Sequence, residues 1–495
     1  MAVAQGTCPS CGAPIEFGVG SSLAKVCEFC RATIVRSDRG LENLGKVADL
    51  AETPSLISIG DEGTLGGRHF MVMGRVQLDH GAGPWDEYYV TFDHGQAWGW
   101  LAYAQGHWYV TAQVPGLQIP PYSALQLEMD IQLGNAGTFR VTEIKSGTIR
   151  STEGELPGPF PGGFERYYAD CYGPNNAFAT LDYGDESGTY TVFTGWIFDE
   201  TQMQVTQLGP RSANKVQVQQ IKCPACGGDI PKLSGDRAER VGCPFCGAVS
   251  DIGAQQVVAQ QEAAMKVPDI PIGQQGNFDG TDYICIAYVR RGTDFDGDRY
   301  SWEEYLLWSQ PIGFRWLVKD PEQGWLWVMP TNPADIDITQ SPSSVAWGGR
   351  TFKYRNSSSA EVEYVLGEVY WKCSIGETTE VTDFIDGREV LSREEGTGEV
   401  RWSYSAPTPW ATIAAAFNLP VDGPGSKFGA AGAGMAGAAG SGSGCTTSGV
   451  VWGIIILVVL VFCALGACGS CADDSGYSGG SSSGYRGGGV YYGGK

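Results

Sequence analysis

Eight of the fifteen cysteines fall into four Cys-x-x-Cys pairs, which is the pattern of a metal-binding ribbon. The first set is Cys8, Cys11, Cys27 and Cys30, and the second is Cys223, Cys226, Cys243 and Cys246. Fifteen residues separate the two pairs of the first set, and sixteen separate those of the second. Each pair directs two thiolates to one point, so two pairs complete a tetrahedral shell with no open position. The spacing therefore predicts two structural Zn2+ sites.

Redox chemistry is the alternative interpretation of these cysteines, because an isolated Cys-x-x-Cys pair can act as a dithiol switch. The doubled pairs and the lack of a thioredoxin-like βαβ pattern favour metal instead. Ribbons this small lack a core of their own, so we expect them to need the metal to fold. Free thiolates persist in reducing compartments, which predicts a cytoplasmic location for both ribbons.

The charge balance argues against nucleic acid as a partner. The formal net charge is −22, which repels phosphate backbones over most of the surface. Residues 1–40 and 215–252, which contain the ribbons, each carry only one more basic than acidic residue. A ribbon that binds nucleic acid needs a basic face, so we expect contact with proteins or a role in folding.

The stretch that follows each ribbon is duplicated within the chain. The matching segments are 59–63 with 272–276, 85–88 with 302–305, and 154–155 with 367–368. Between them lie short apolar, aromatic and β-branched runs separated by glycine-rich turns. We therefore predict a mainly β chain with two all-β domains, each a sandwich or a barrel.

The order of these motifs resembles a known family. The Ile-Gly-x-x-Gly opening, the Trp-[Asp/Glu]-Glu-Tyr strand and the later Gly-Glu are similar to the bacterial domain of unknown function 4178. The resemblance covers residues 54–200 and 268–406, which implies tandem copies of one fold and supplies no catalytic residue. It also implies association with bacterial membrane systems, whose neighbours include polyamine-synthesis enzymes and membrane-stress proteins.

Paired carboxylates recur beside the Trp and Tyr of the second motif. They are Asp86 and Glu87 in the first repeat, and Glu303 and Glu304 in the second. A duplicated pair of this kind is a candidate site for a polyamine or another cationic ligand. Adjacent residues on a strand point to opposite faces, however, so each pair converges only if a bulge intervenes. Charged edge strands that prevent aggregation are the alternative interpretation.

No catalytic motif is present. The sequence has no Gly-x-x-x-x-Gly-Lys phosphate loop, no nucleophile elbow and no His-Glu-x-x-His. All four histidines lie in the first repeat, which excludes a histidine mechanism common to both repeats. His80 and His94 each follow an aspartate, and a cluster of these groups in the first repeat is a further hypothesis, although Asx-rich turns explain the same residues. We predict that the protein is not an enzyme; a β-domain enzyme with an unrecognised site is the alternative.

The C-terminal part of the chain has a different character. Residues 421–449 are rich in Gly, Ala and Ser, which predicts a flexible linker. Residues 450–468 are nineteen uncharged, mostly apolar positions, about 28 Å as a helix, which predicts one transmembrane helix. Residues 469–495 form a Gly/Ser/Tyr tail that we expect to be disordered and to lie on the far side of the membrane. No secretory signal is expected at the N-terminus.

The predicted domain order combines these features. It comprises ribbons at 1–38 and 215–252, helical connectors at 39–53 and 253–267, β-domains at 54–210 and 268–420, the linker at 421–449, the transmembrane helix at 450–468 and the tail at 469–495. Four further cysteines have no predicted role: Cys445, Cys463, Cys468 and Cys471.

The predicted function is that of a scaffold or binding protein anchored to the membrane by residues 450–468, with most of the chain in the cytoplasm. It would bind protein partners there, in a bacterial membrane-stress or polyamine-linked system. A sensor of a small cationic ligand is a second interpretation. A ribbon protein that binds nucleic acid is a third.

Overall fold

Short antiparallel hairpins carry the cysteine pairs of the first ribbon in the computed structural model. β1 (Ala4–Thr7) pairs with β2 (Pro14–Phe17), and β3 (Ala24–Val26) pairs with β4 (Ala32–Ser37). β5 (Gly40–Lys46) pairs with the other edge of β4. Ile15, Phe17 and Ile34 pack against the buried cysteines of this ribbon.

The structure describes most of the chain before residue 423. The described ranges are 4–17, 22–37, 40–46, 57–79, 84–104, 107–185, 189–206, 220–234, 238–252, 255–262, 267–295, 297–310, 312–341, 343–371 and 373–422. All of them belong to one compact unit. Within these ranges, no helix has the length and apolar character that crossing a membrane requires. The predicted transmembrane helix at 450–468, the tail and nearly all of the linker lie outside the described residues.

The first repeat is built from antiparallel strands and three short 3-10 turns. The strands are β6 (Glu62–Leu65), β7 (Arg68–Asp79), β8 (Pro84–Phe92), β9 (Ala97–Ala104), β10 (His107–Gln113), β11 (Asp130–Gln132), β12 (Thr138–Leu156), β13 (Glu165–Tyr172), β14 (Ala177–Gly184), β15 (Thr191–Phe198) and β16 (Met203–Thr206). The 3-10 turns are Tyr122–Ala124, Gly134–Ala136 and Glu200–Gln202.

Eight of these strands close into a barrel. The order is β7, β8, β9, β10, β15, β14, β13 and β12, and β12 pairs back with β7. Alternate residues of β7, among them Phe70 and Val72, are buried, as a half-buried strand requires. They pack with Tyr88 and Trp108 in the barrel core.

The second ribbon follows the plan of the first. β17 (Gln220–Lys222) pairs with β18 (Asp229–Pro231), and β19 (Arg240–Gly242) pairs with β20 (Ala248–Asp251). β21 (Gln256–Gln260) pairs with the outer edge of β20.

The second repeat has strands, one 3-10 turn and one α-helix. The strands are β22 (Gln275–Phe278), β23 (Thr281–Phe295), β24 (Asp298–Ser309), β25 (Gly313–Asp320), β26 (Gly324–Pro330), β27 (Asp337–Ser341), β28 (Ser344–Trp347), β29 (Arg350–Val369), β30 (Thr378–Asp386), β31 (Glu389–Gly396) and β32 (Glu399–Pro407). The 3-10 turn is Pro333–Asp335, and the helix is α1 (Trp410–Ala416).

The second repeat closes in the same order as the first. β23, β24, β25, β26, β32, β31, β30 and β29 form a ring, and β29 pairs back with β23. Trp410 and Ile413 of α1 pack against Tyr305 and Leu317 of this ring. The prediction of a mainly β, duplicated chain is confirmed, and each repeat adopts the barrel alternative.

The helical connectors predicted at 39–53 and 253–267 are wrong where the structure describes them. β5 occupies the first connector and β21 the second. Each pairs with the last strand of its ribbon, β4 or β20, so strand pairing outweighs the local helical preference. In β21 the adjacent Val257 and Val258 also favour a strand, because β-branched side chains suit the pleated backbone.

Candidate metal centres and their contacts with the barrels

Four cysteine sulfurs converge in the first ribbon. The Sγ atoms of Cys8 and Cys30 are 3.7 Å apart, as are those of Cys11 and Cys27. All four lie within 4.8 Å of one another. In the two turns that carry them, the amides of Gly12 and Arg31 donate to the carbonyls of the first cysteine of each pair, Cys8 and Cys27.

The second ribbon repeats this geometry. The Sγ atoms of Cys223 and Cys246 are 3.7 Å apart, and those of Cys226 and Cys243 are 3.8 Å apart. The residue after each second cysteine of this ribbon is a glycine, Gly227 or Gly247, with φ of 73° or 72°. Such a turn needs the left-handed region, which glycine enters without a steric penalty.

The sulfur positions fit a tetrahedral metal. Metal–sulfur bonds of about 2.3 Å to four tetrahedral thiolates imply sulfur–sulfur distances of about 3.8 Å. The four distances given above are 3.7 to 3.8 Å, far longer than a disulfide bond of about 2.05 Å. Each set therefore can hold a metal ion with four protein ligands and no open position. Among the described residues, these are the only groups of three or more His, Cys, Asp or Glu that converge in this way.

Backbone amides favour the thiolate form at one cysteine of each set. The amide of Ala32 lowers the pKa of Cys30 to about 6. Burial opposes ionisation at Cys223, but the amides of Cys226 and Ala225 lower its pKa to about 7. The thiolate is the form that binds metal, so these amides favour the metal-binding form at one ligand of each set.

Each ribbon extends the sheet of the barrel that follows it. In the first, Ala24 and Lys25 of β3 pair with the end of β12. In the second, residues Arg240–Gly242 of β19 pair with Gly367 to Val369 at the end of β29. The metal sites are thereby fixed to the barrels through main-chain pairing.

The recurring Gly-Glu motif lies at both junctions. Gly154 and Gly367 have φ of 73° and 83°. A β-carbon at Gly154 would lie 2.4 Å from the carbonyl oxygen of Met73, and one at Gly367 would lie 2.2 Å from that of Ile286. Both positions therefore require glycine for conformation and for space.

The glutamates of this motif contact the ribbons. Glu368 is 1% exposed and accepts hydrogen bonds from the amides of Leu233 and Ser234 and from the Ser234 hydroxyl. Burial raises the pKa of Glu368, while these hydrogen bonds act in the opposite direction. In the first repeat, Lys25 of β3 lies 3.5 Å from the equivalent Glu155. The sequence showed that the motif recurs, but the partners of its glutamate come from residues more than 100 positions away.

The candidate acidic pairs take part in contacts within their own barrels. In the first repeat, Asp86 is buried and accepts from Gln77 and Tyr88, with Arg75 at 3.4 Å. Glu87 accepts instead from the indole of Trp85.

The second repeat has the same division of partners. Glu303 accepts from the hydroxyl of Tyr305, whereas Glu304 is 2% exposed, accepts from the indole of Trp302 and pairs with Arg291. The two acids of each pair thus have separate partners, as strand alternation requires. Binding of a cationic ligand by these acids stays a prediction.

His80 of the predicted histidine cluster lies outside the described residues. His94 stacks on His69, with ring centroids 4.4 Å apart, and His69 lies 3.3 Å from Glu62. Burial lowers the pKa of His107 to about 4, which Arg315 of the second repeat reinforces.

Comparison with known proteins identifies a family for the two barrels. The family model described as "Domain of unknown function (DUF4178)" matches residues 58–200 and 271–409. These two matches cover the two barrels and leave both ribbons outside. The search of curated proteins finds no match.

Proposed function

Because the chain belongs to the DUF4178 family, with two copies in tandem, we propose that it is a membrane-anchored scaffold whose zinc ribbons brace a pair of family domains. The observation that carries this proposal is the main-chain pairing of each four-cysteine ribbon with the barrel that follows it. A closed thiolate shell offers no position for a substrate. A ribbon paired into a sheet gives a fixed surface for a partner.

Zinc is the metal that we propose for both clusters. Four thiolates at tetrahedral distances suit Zn2+, and iron is the other metal that commonly takes this donor set. Zinc brings no redox chemistry, which agrees with a structural role. Bound metal would stabilise the turns and, through β3 and β19, the ends of β12 and β29.

The contacts of the four candidate acids support a structural role rather than catalysis. The four candidate acids hold tyrosine, tryptophan or arginine side chains of their own barrels. A catalytic carboxylate needs a path to a substrate, and Asp86 and Glu304 are 8% and 2% exposed. We therefore assign these residues to barrel stability, with polyamine binding as the outcome that would change the assignment.

The membrane part of the proposal rests on the composition of the C-terminal segment. Residues 450–468 are uncharged and mostly apolar, follow a Gly-rich segment and precede a Gly/Ser-rich one. Four-thiolate sites favour a reducing compartment, so we propose that the ribbons and barrels lie in the cytoplasm. Partner proteins at the inner surface of the membrane would then meet a tethered scaffold at high local concentration.

The test uses the full-length chain and a variant that lacks residues 450–468. We expect the full chain in the membrane fraction and the variant in the soluble fraction. A membrane-impermeant maleimide applied to intact cells should label Cys471 and spare the ribbon cysteines. Elemental analysis should find two zinc ions per chain. Equal fractionation of both proteins would refute the anchor, and bound iron would refute the zinc assignment.

The same preparations test the ligand-sensor alternative. We expect no saturable heat of binding with a polyamine such as spermidine. Saturable binding that disappears when Asp86, Glu87, Glu303 and Glu304 are changed to their amides would replace the scaffold by a cation sensor.

A further inference from the structure

Two glutamates face each other where the two repeats meet. Glu143 of β12 and Glu399 of β32 are directly opposite in an antiparallel pair. Their side chains are 2% and 3% exposed. Like charges directly opposite on neighbouring strands repel, and burial increases the cost of keeping both ionised.

One lysine is shared by both glutamates. The Nζ atom of Lys145 lies 3.1 Å from Glu143 and also contacts Glu399. The hydroxyl of Tyr168 donates to Glu143 at 3.2 Å, and Arg401 pairs with Glu399. The ammonium of Lys145 therefore connects an acid of the first repeat to an acid of the second.

These groups belong to a longer row of buried charges. Arg401 is opposite Glu394 across β31 and β32, and Arg291 contacts both Glu394 and Glu304 at 3.3 and 3.4 Å. We define the buried charge row as Glu304, Arg291, Glu394, Arg401, Glu399, Lys145, Glu143 and Asp170. Five carboxylates in this row face three cations. A poorly hydrated interior makes each ionised carboxylate of this row costly, which favours uptake of a proton.

A small cavity opens onto the same glutamates. Glu143 and Glu399 line it, together with Thr331, Tyr172 and Trp402. The Oγ1 atom of Thr331 is buried without a hydrogen-bond partner, and the residue is 5% exposed. This hydroxyl can accept from or donate to a protonated carboxyl or an ordered water at the interface.

We propose that the interface between the repeats is a proton-binding site, in which Glu399, opposite Glu143, retains a proton that holds the two barrels together. Loss of this proton leaves two ionised carboxylates opposite each other on β12 and β32. The contact between the repeats then weakens as the pH rises. A change of cytoplasmic pH would in this way alter the surface that the two barrels present.

The charges around the site agree with this proposal. The groups that face Glu399 are Lys145 and Glu143 from β12, Tyr168 and Asp170 from β13, and Arg401 from β32. Arg401 in turn faces Glu394 of β31. Burial raises the pKa of Glu399 to about 8; Lys145 opposes this and Glu143 reinforces it. A carboxyl with a raised pKa in the folded state binds a proton that the unfolded chain releases. Its contribution to stability is therefore complete below about pH 4.5 and disappears as the pH rises towards 8.

The experiment measures urea unfolding of the metal-loaded full-length chain between pH 5 and pH 9. One retained proton makes the unfolding equilibrium constant rise about tenfold per pH unit from about pH 5 to the folded-state pKa of about 8, and the rise stops above it. We expect Glu399→Gln to lose this tenfold rise per pH unit, because the amide mimics the protonated acid and cannot release a proton. Glu143→Gln should have the same effect. Glu380→Gln, at an exposed site on β30, is the matched control and should leave the dependence unchanged.

Infrared spectroscopy gives a second measurement that does not depend on the stability of a variant. The wild-type chain at pH 6 should show the carbonyl stretch of a protonated carboxyl, which should be lost at pH 9. Identical pH dependence in the wild type, Glu399→Gln and Glu143→Gln would overturn the proposal. So would a wild-type spectrum at pH 6 without a protonated carboxyl.

Discussion

Replacing Glu368 by alanine should loosen the attachment of the second ribbon to its barrel. The side chain is 1% exposed and accepts from two backbone amides and one hydroxyl of residues Leu233 and Ser234. A buried donor left without an acceptor costs about 1–3 kcal/mol. Leaving the amides of Leu233 and Ser234 without an acceptor therefore costs roughly 2–6 kcal/mol. Entry of some water lowers this cost, so we expect a loss of about 3 kcal/mol.

The assay is metal release to a colorimetric chelator, together with urea unfolding. About 3 kcal/mol corresponds to a local opening constant raised about a hundredfold. We therefore expect half of the bound metal in Glu368→Ala to leave about a hundredfold faster, while the half in the first ribbon leaves at the wild-type rate. Ser234→Ala is the matched control, because it removes one donor and leaves both amides paired with Glu368. It should cost about 1 kcal/mol. Wild-type release kinetics in Glu368→Ala would refute the assignment of this glutamate to ribbon attachment.

Three further predictions follow from the same geometry. Chelation at neutral pH should make both ribbons sensitive to protease while the barrels persist, because the ribbons need the metal to fold whereas each barrel has a large core of its own. Loss of barrel circular dichroism at the same chelator concentration would contradict this. Gly367→Ala should lower the free energy of unfolding in urea by at least about 2 kcal/mol, because its β-carbon would meet the Ile286 carbonyl oxygen. Gly396→Ala, whose β-carbon would meet no atom within 4 Å, should raise this free energy by about 0.5 kcal/mol. Burial raises the pKa of the Cys171 and Cys373 thiols, so iodoacetamide and peptide mapping should find them unmodified until the barrels unfold.

The four-cysteine sets could be predicted because their geometry is local. A Cys-x-x-Cys turn needs only a few residues and, after the second cysteine, one residue in the left-handed region, such as Gly227. The connectors could not be assigned in the same way. Residues 40–46 and 256–260 become strands because β4 and β20 offer a free edge, which is a property of the folded ribbon.

The Gly-Glu motif shows where sequence reasoning ends. Its recurrence at Gly154 and Gly367 marks a constraint, but the approach of a carbonyl oxygen and the attachment of a ribbon are visible only when β12 and β29 have partners. The recurrence of the acidic pairs was a weaker indication of a functional site. Asp86 and Glu304 find their partners within the barrel, because neighbouring strands bring Gln77 and Arg291 beside them.

The sequence by itself determined the chemistry of the metal ligands, the duplication and the β character of the chain, because residue type, spacing and alternation act over a few positions. Tertiary structure decided barrel closure, ribbon attachment and the buried charge row. Lys145 and Glu399 are 254 residues apart, and only the meeting of the two repeats places them together. Burial then turns ordinary surface residue types into a charged interface whose protonation depends on every neighbouring strand.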